Sequence, residues 1–179
     1  VALLERLMPL VAGHWDVTVR AEPGADAAFG LSARFPVVRT DRPLPHRFDL
    51  AFFPRQPTDA RQLLELNRSA VRIVTTFHDA IALRVHAIRT IDMRLAASLA
   101  ARHIDGLLSV SETALEDVRT FLGSDLPAST PARAVLHGRP SASAPGPRAA
   151  DVPAEPFVFV ASNAFPHKAL DEALRALPK

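Results

Sequence analysis

The stretch Val71-Arg-Ile-Val-Thr-Thr-Phe77, followed at once by His78-Asp79, decides how the chain is read. Its β-branched residues and closing phenylalanine predict a strand, which places His78 and Asp79 at that strand's carboxyl end. Upstream, Phe48–Phe53 is a compact apolar run interrupted only by Asp49, and it predicts a strand buried on both faces. Residues 59–69 between the two favour a helix. Downstream, Ile88, Ile91, Leu95 and Leu99 fall on one helical stripe, and Leu107–Val110 reads as a short strand.

Residues 111–116 then open another helix, with Thr113 and Glu116 at capping-box spacing and Leu115, Val118 and Leu122 as its buried face. Gly123 ends it, and Arg133–Leu136 predicts a further strand. Toward the amino end, Leu3, Leu4, Leu7, Leu10 and Val11 have the spacing of a one-faced helix. Strands are expected at Trp15–Val19 and Ala33–Val38, with a turn over Glu22–Asp26 between them. Strands alternating with helices predict an α/β fold, a Rossmann-like doubly wound parallel sheet.

Pro140, Pro145, Pro147, Pro153 and Pro156 punctuate a stretch almost empty of large apolar side chains, which predicts a linker over residues 140–156. Beyond it, Phe157–Ala161 reads as a strand, Ser162–Lys168 as a loop, and Leu170, Ala173, Leu174 and Leu177 as a helical stripe. The expected organisation is a domain over residues 1–139, the linker, and over residues 157–179 the opening of a second Rossmann-like domain. Val1 and Lys179 both read as cut ends, so the chain is expected to be a portion of a larger protein.

Composition narrows the function classes. Of 179 residues, 48% are hydrophobic and 22% charged, which is ordinary for a globular chain. The net charge is only +2, and the sequence pI of about 9.9 reflects arginine used in preference to lysine. Those arginines are scattered without dense runs or interleaved aromatics, which argues against nucleic-acid binding. The chain has no cysteine, which excludes disulfides and thiolate metal sites. No signal peptide or membrane-spanning run is legible, so a soluble, cytoplasmic protein is expected, with peripheral contact to a membrane surface compatible with the sequence.

Three strand ends carry polar residues where ligands gather in open parallel sheets. His78 and Asp79 leave a buried strand, where an imidazole is placed to bond to or exchange a proton with a substrate hydroxyl. The plainer alternative is that they serve only the local turn. Ser111 and Glu112 open a helix, where capping and dipole compensation are the default roles. Lys168 stands just before a helix and after a polar loop, a setting for a diphosphate or for an ordinary solvated lysine. A metal site at His78 and Asp79 would need further ligands, and His86 and His103 make no recognisable pattern with them. Neither a dinucleotide fingerprint nor a P-loop is present.

Taken in order, Phe48-Asp-Leu-Ala-Phe-Phe, Val74-Thr-Thr-Phe-His-Asp-Ala-Ile-Ala-Leu83, Asp105-Gly-Leu-Leu-Ser-Val-Ser-Glu112 and the segment from Phe157 through Leu174 resemble the GT-B glycosyltransferases called family four. That family includes many retaining mannosyl- and glucosyltransferases. The resemblance covers roughly residues 45–179 and implies transfer of a sugar from a nucleotide-sugar donor to a hydroxyl of a glycan, lipid or small-molecule acceptor. It implies His78, with Asp79, near the transferring sugar, and Ser162, Asn163 and Lys168 at the donor diphosphate. Ser111, Glu112 and Arg139 are expected to line the cleft. No cofactor or metal is implied, because cationic side chains and helix N-termini stabilise the leaving group. His137-Gly-Arg-Pro140 departs from the family's Asn-Gly-Val-Asp-like turn, and the paired glutamates that read the donor would follow Lys179. As a hexosyltransferase fragment, the chain is expected to turn over little by itself. The alternatives are a metal-dependent phosphohydrolase using His78 and Asp79, and a non-catalytic α/β binding module.

Overall fold

A computed structural model describes residues 2–85, 91–136 and 170–176. The expected linker, the strand at 157–161, and Arg139, Ser162, Asn163 and Lys168 lie outside the described residues. The chain divides into two compact units, Val1–Phe48 and Asp49–Lys179. Its class is α/β, with parallel strands and interspersed helices in a Rossmann-like arrangement.

The first unit contains helix α1 (Ala2–Val11), strand β1 (Val19–Ala21), helix α2 (Pro23–Phe29), a 3-10 turn (Leu31–Ala33) and strand β2 (Val37–Arg39). β1 and β2 pair in parallel, with Val19 opposite Val37. The turn expected at residues 22–26 is instead the start of α2. Pro23 falls in the first helical turn, where its missing N–H is no loss and its fixed φ suits the helix. Gly30 closes α2 at φ 58°, a left-handed position that glycine adopts without a steric penalty. The strand expected over residues 33–38 begins only at Val37, because Leu31–Ala33 is spent on the 3-10 turn. Asp26 accepts from both the backbone N–H and the hydroxyl of Ser32. Those bonds, assisted by the charge of Arg39, hold its carboxyl below the ordinary range.

The second unit is built on a sheet in which β3 (Phe48–Phe53), β4 (Ala70–Phe77), β5 (Gly106–Ser109) and β6 (Ala132–Ala134) lie side by side in that order. β4, β5 and β6 are parallel, with Phe77 opposite Ser109 and Ser109 opposite Ala134. The connections carry helices α3 (Ala60–Ser69), α4 (Ile81–Arg84), α5 (Ile91–His103) and α6 (Glu112–Leu122), and α7 (Leu170–Arg175) follows later. α3 starts where Asp59 accepts from the Gln62 N–H at 2.9 Å.

One buried cluster unites Leu63 of α3, Ile73 and Phe77 of β4, Ala97, Ala100 and Ala101 of α5 with Ile104 just after it, Leu107 of β5, and Leu115, Val118 and Leu122 of α6. Ile73 and Phe77 alternate onto the same face of β4, as period-two geometry requires. The buried side of α5 differs from the expected leucine stripe. Leu95 is 51% exposed, while Ala100 and Ala101 are fully buried. Small side chains let α5 pack against α3 and α6, and the larger Ile73, Phe77 and Leu107 fill the core beside them. β3 is likewise not buried on both faces, since it stands at the sheet edge and leaves Leu50 and Phe52 exposed.

α5 and the end of α6 are tied by Asp125, which accepts from the Ser98 hydroxyl at 2.5 Å and the Arg102 guanidinium at 2.6 Å. The Ser98 bond first, then Arg102, lowers the Asp125 pKa. A lowered folded pKa means that this contribution to stability is complete above the ordinary carboxylate value of about 3.9 and is lost as pH falls through the folded one. Asp125→Asn should therefore lower neutral-pH stability and flatten its decline in acid, as read by chemical denaturation at a series of pH values. Leu107→Ala, at a site only 1% exposed, should cost about 2–5 kcal/mol in the same measurement.

Candidate functional site at the carboxyl edge of the sheet

Because β4 and β5 are parallel and end in register, the residues leaving them emerge side by side at one edge. His78 and Asp79 leave β4, and Val110, Ser111 and Glu112 leave β5 into α6. Four expected site residues are thus brought to neighbouring strand ends. The edge is held together by buried hydroxyls. Ser109, fully buried, donates its Oγ hydrogen to the Phe77 carbonyl at 3.1 Å. Thr75, also fully buried, donates to the Arg55 carbonyl at 2.8 Å. A buried hydroxyl without a partner would carry a penalty of about 1–3 kcal/mol, so each of these bonds also selects the strand register.

His78 is exposed at the strand end. Its Nε2 lies 2.9 Å from the Pro54 carbonyl, and its backbone N–H donates to Gln56 Oε1 at 3.0 Å. The Gln56 Nε2 donates in turn to the Asp79 carbonyl at 3.3 Å. Asp79 Oδ1 accepts from the Ile81 N–H at 3.0 Å and so shapes the entry to α4. The plain turn-forming role therefore holds for one carboxylate oxygen of Asp79, whereas the His78 ring bonds across to the segment that follows β3.

Ser111 is the N-cap of α6, its Oγ accepting from the Ala114 N–H at 3.1 Å. The capping box expected at Thr113 and Glu116 is displaced, because Thr113 already lies inside the helix. Glu112 is exposed in the first turn, where its negative charge complements the helix dipole. A carboxylate there disfavours a second anion at the same N-terminus.

A cavity beside the site is lined by residues including Gln56, Phe77, Asp79, Leu83 and Met93, and holds about 30 Å³. That is room for about two or three water molecules rather than a sugar ring. Among the described residues, no group of three or more His, Cys, Asp or Glu side chains is placed to hold a metal ion. His103 sits at the end of α5, and His86 lies outside the described residues.

Gln56 and the Pro54 carbonyl are the participants that sequence reasoning missed. They stand 22 and 24 positions before His78, and a glutamine between two prolines carries no motif. Ser111→Ala should cost about 1 kcal/mol, measured by thermal or chemical unfolding, through loss of the α6 cap. No family model matches the chain, and no match was found among the curated proteins or the solved structures.

Proposed function

We propose that the chain is the acceptor-side part of a glycosyltransferase of the GT-B kind, transferring a sugar from a nucleotide-sugar donor to an acceptor hydroxyl. The observation that carries this reading is His78, exposed at the carboxyl end of a buried parallel strand and beside the helix opening at Ser111. An imidazole there stands at the carboxyl ends of parallel strands, the side on which open α/β sheets bind ligands, and its chemistry suits hydrogen bonding to sugar hydroxyls. The acidic first turn of α6 supports an acceptor role for this edge, with donor phosphates bound elsewhere. Ser162, Asn163, Lys168 and Arg139 are proposed for the donor side on the sequence resemblance alone. His78 would orient reacting groups near the anomeric carbon, and Lys168 would neutralise charge on the departing nucleoside diphosphate.

No helix among the described residues is long and apolar enough to cross a membrane.

The test is a panel of nucleoside diphosphate sugars offered with glycan and glycolipid acceptors to the natural full-length polypeptide, with and without His78→Ala. Sugar transfer is expected, and the substitution should reduce it by roughly 10²-fold or more while leaving the fold intact. Phosphate release that requires stoichiometric divalent metal would instead assign a phosphohydrolase. Absence of both activities would assign a binding module, and transfer unmoved by His78→Ala would overturn the role given to His78.

A further inference from the structure

We infer that Gln56 is a positioning residue for His78, acting with the Pro54 carbonyl to fix both the backbone and the ring of that histidine. The side-chain amide of Gln56 bridges two consecutive residues: its Oε1 accepts from the His78 N–H at 3.0 Å, and its Nε2 donates to the Asp79 carbonyl at 3.3 Å. Only one orientation of the amide satisfies both partners, because the reverse would set donor against donor and acceptor against acceptor. The bridge therefore pins the peptide at which β4 ends. It also belongs to the same short segment as Pro54, whose carbonyl meets His78 Nε2 at 2.9 Å, and Arg55, whose carbonyl accepts from buried Thr75.

A carbonyl oxygen can only accept, so the His78 Nε2 must carry the hydrogen in this contact. In the neutral ring, Nδ1 is then the nitrogen with the lone pair. The segment Pro54-Arg55-Gln56 thus selects one tautomer and one ring orientation, and Gln56 holds the segment and the strand end in the register that allows it. What the ring is positioned for rests on the transferase reading above, whereas the positioning itself is a property of these bonds.

Proton–nitrogen correlation spectra of the imidazoles of this 179-residue chain provide the test, with His78→Ala assigning the signal. With the ring in its neutral form, His78 in the parent chain should show an excess of the Nε2–H form over that in a urea-denatured control. Gln56→Ala should erase most of that excess and shift the His78 backbone amide, while leaving the circular dichroism unchanged. Gln56→Glu keeps an acceptor for the His78 N–H but lacks a donor for the Asp79 carbonyl, and should fall between the two. Gln56→Asn, which keeps the amide on a shorter stem, replaces the alanine variant should that one not fold, with the same loss expected. A parent tautomer ratio equal to that of the denatured control, or a ratio unmoved by a folded Gln56 variant, would overturn the inference. Neither readout needs sugar transfer, so a chain that binds no nucleotide sugar would sink the proposed function and leave the role of Gln56 intact. If transfer is observed, Gln56→Ala should lower kcat several-fold with the donor KM nearly unchanged.

Discussion

The pairing of Phe77 with Ser109 is the contact on which the carboxyl edge depends. It sets two parallel strands to end at the same level, and the Ser109 hydroxyl marks that register by bonding to the Phe77 carbonyl. A slip of one residue would turn Ile73, Phe77 and Leu107 away from the helices and put their neighbours in the core. It would also leave a buried hydroxyl without its acceptor. Packing and hydrogen bonding therefore enforce the same alignment, and the position of His78 beside Ser111 follows from it.

The core that backs this edge uses unequal partners. Large side chains come from the strands and from α6, and alanines from α5. That helix packs against α3 and α6, and its leucines turn outward or lie partly covered. Asp125 then braces α5 against the end of α6 through Ser98 and Arg102. Such a rigid base suits a polar edge whose loops are short and bonded to one another. Thr75 ties the segment after β3 to β4, and Gln56 ties it to the residues that leave β4.

That edge combines an exposed imidazole with an acid-bearing helix N-terminus, and the neighbouring cavity is too small for a sugar ring. An open surface of this sort favours hydrogen bonds to a ligand's hydroxyl groups over enclosure of an apolar ligand. Sugar acceptors have that chemistry. The α/β scaffold by itself hosts many activities, so the weight of the functional reading falls on His78 and its surroundings rather than on the fold.

Much of the layout was legible in the order of residues. The β-branched run ending at Phe77 announced β4, Leu115, Val118 and Leu122 announced the buried face of α6, and the His78-Asp79 step announced a polar strand end. These are local signals: propensity over a few residues and a period of two or 3.6. What local patterns could not carry was decided by tertiary structure. Leu95 matched a helical stripe as well as any core leucine, but only the packing of α5 against α3 and α6 made the alanines the buried side. The apolar run of β3 predicted burial, and only its place at the sheet edge exposed it. Gln56 had no distinguishing neighbours, because its meaning lies in a backbone N–H and a carbonyl more than twenty positions away, reachable only once β3 and β4 lie side by side. Sequence by itself marked segments such as β4 and α6, whereas the turn expected at residues 22–26 is the start of α2. The tertiary fold decided which faces lose water and which distant polar groups meet, since burial and long-range hydrogen bonds are properties of neighbours in space.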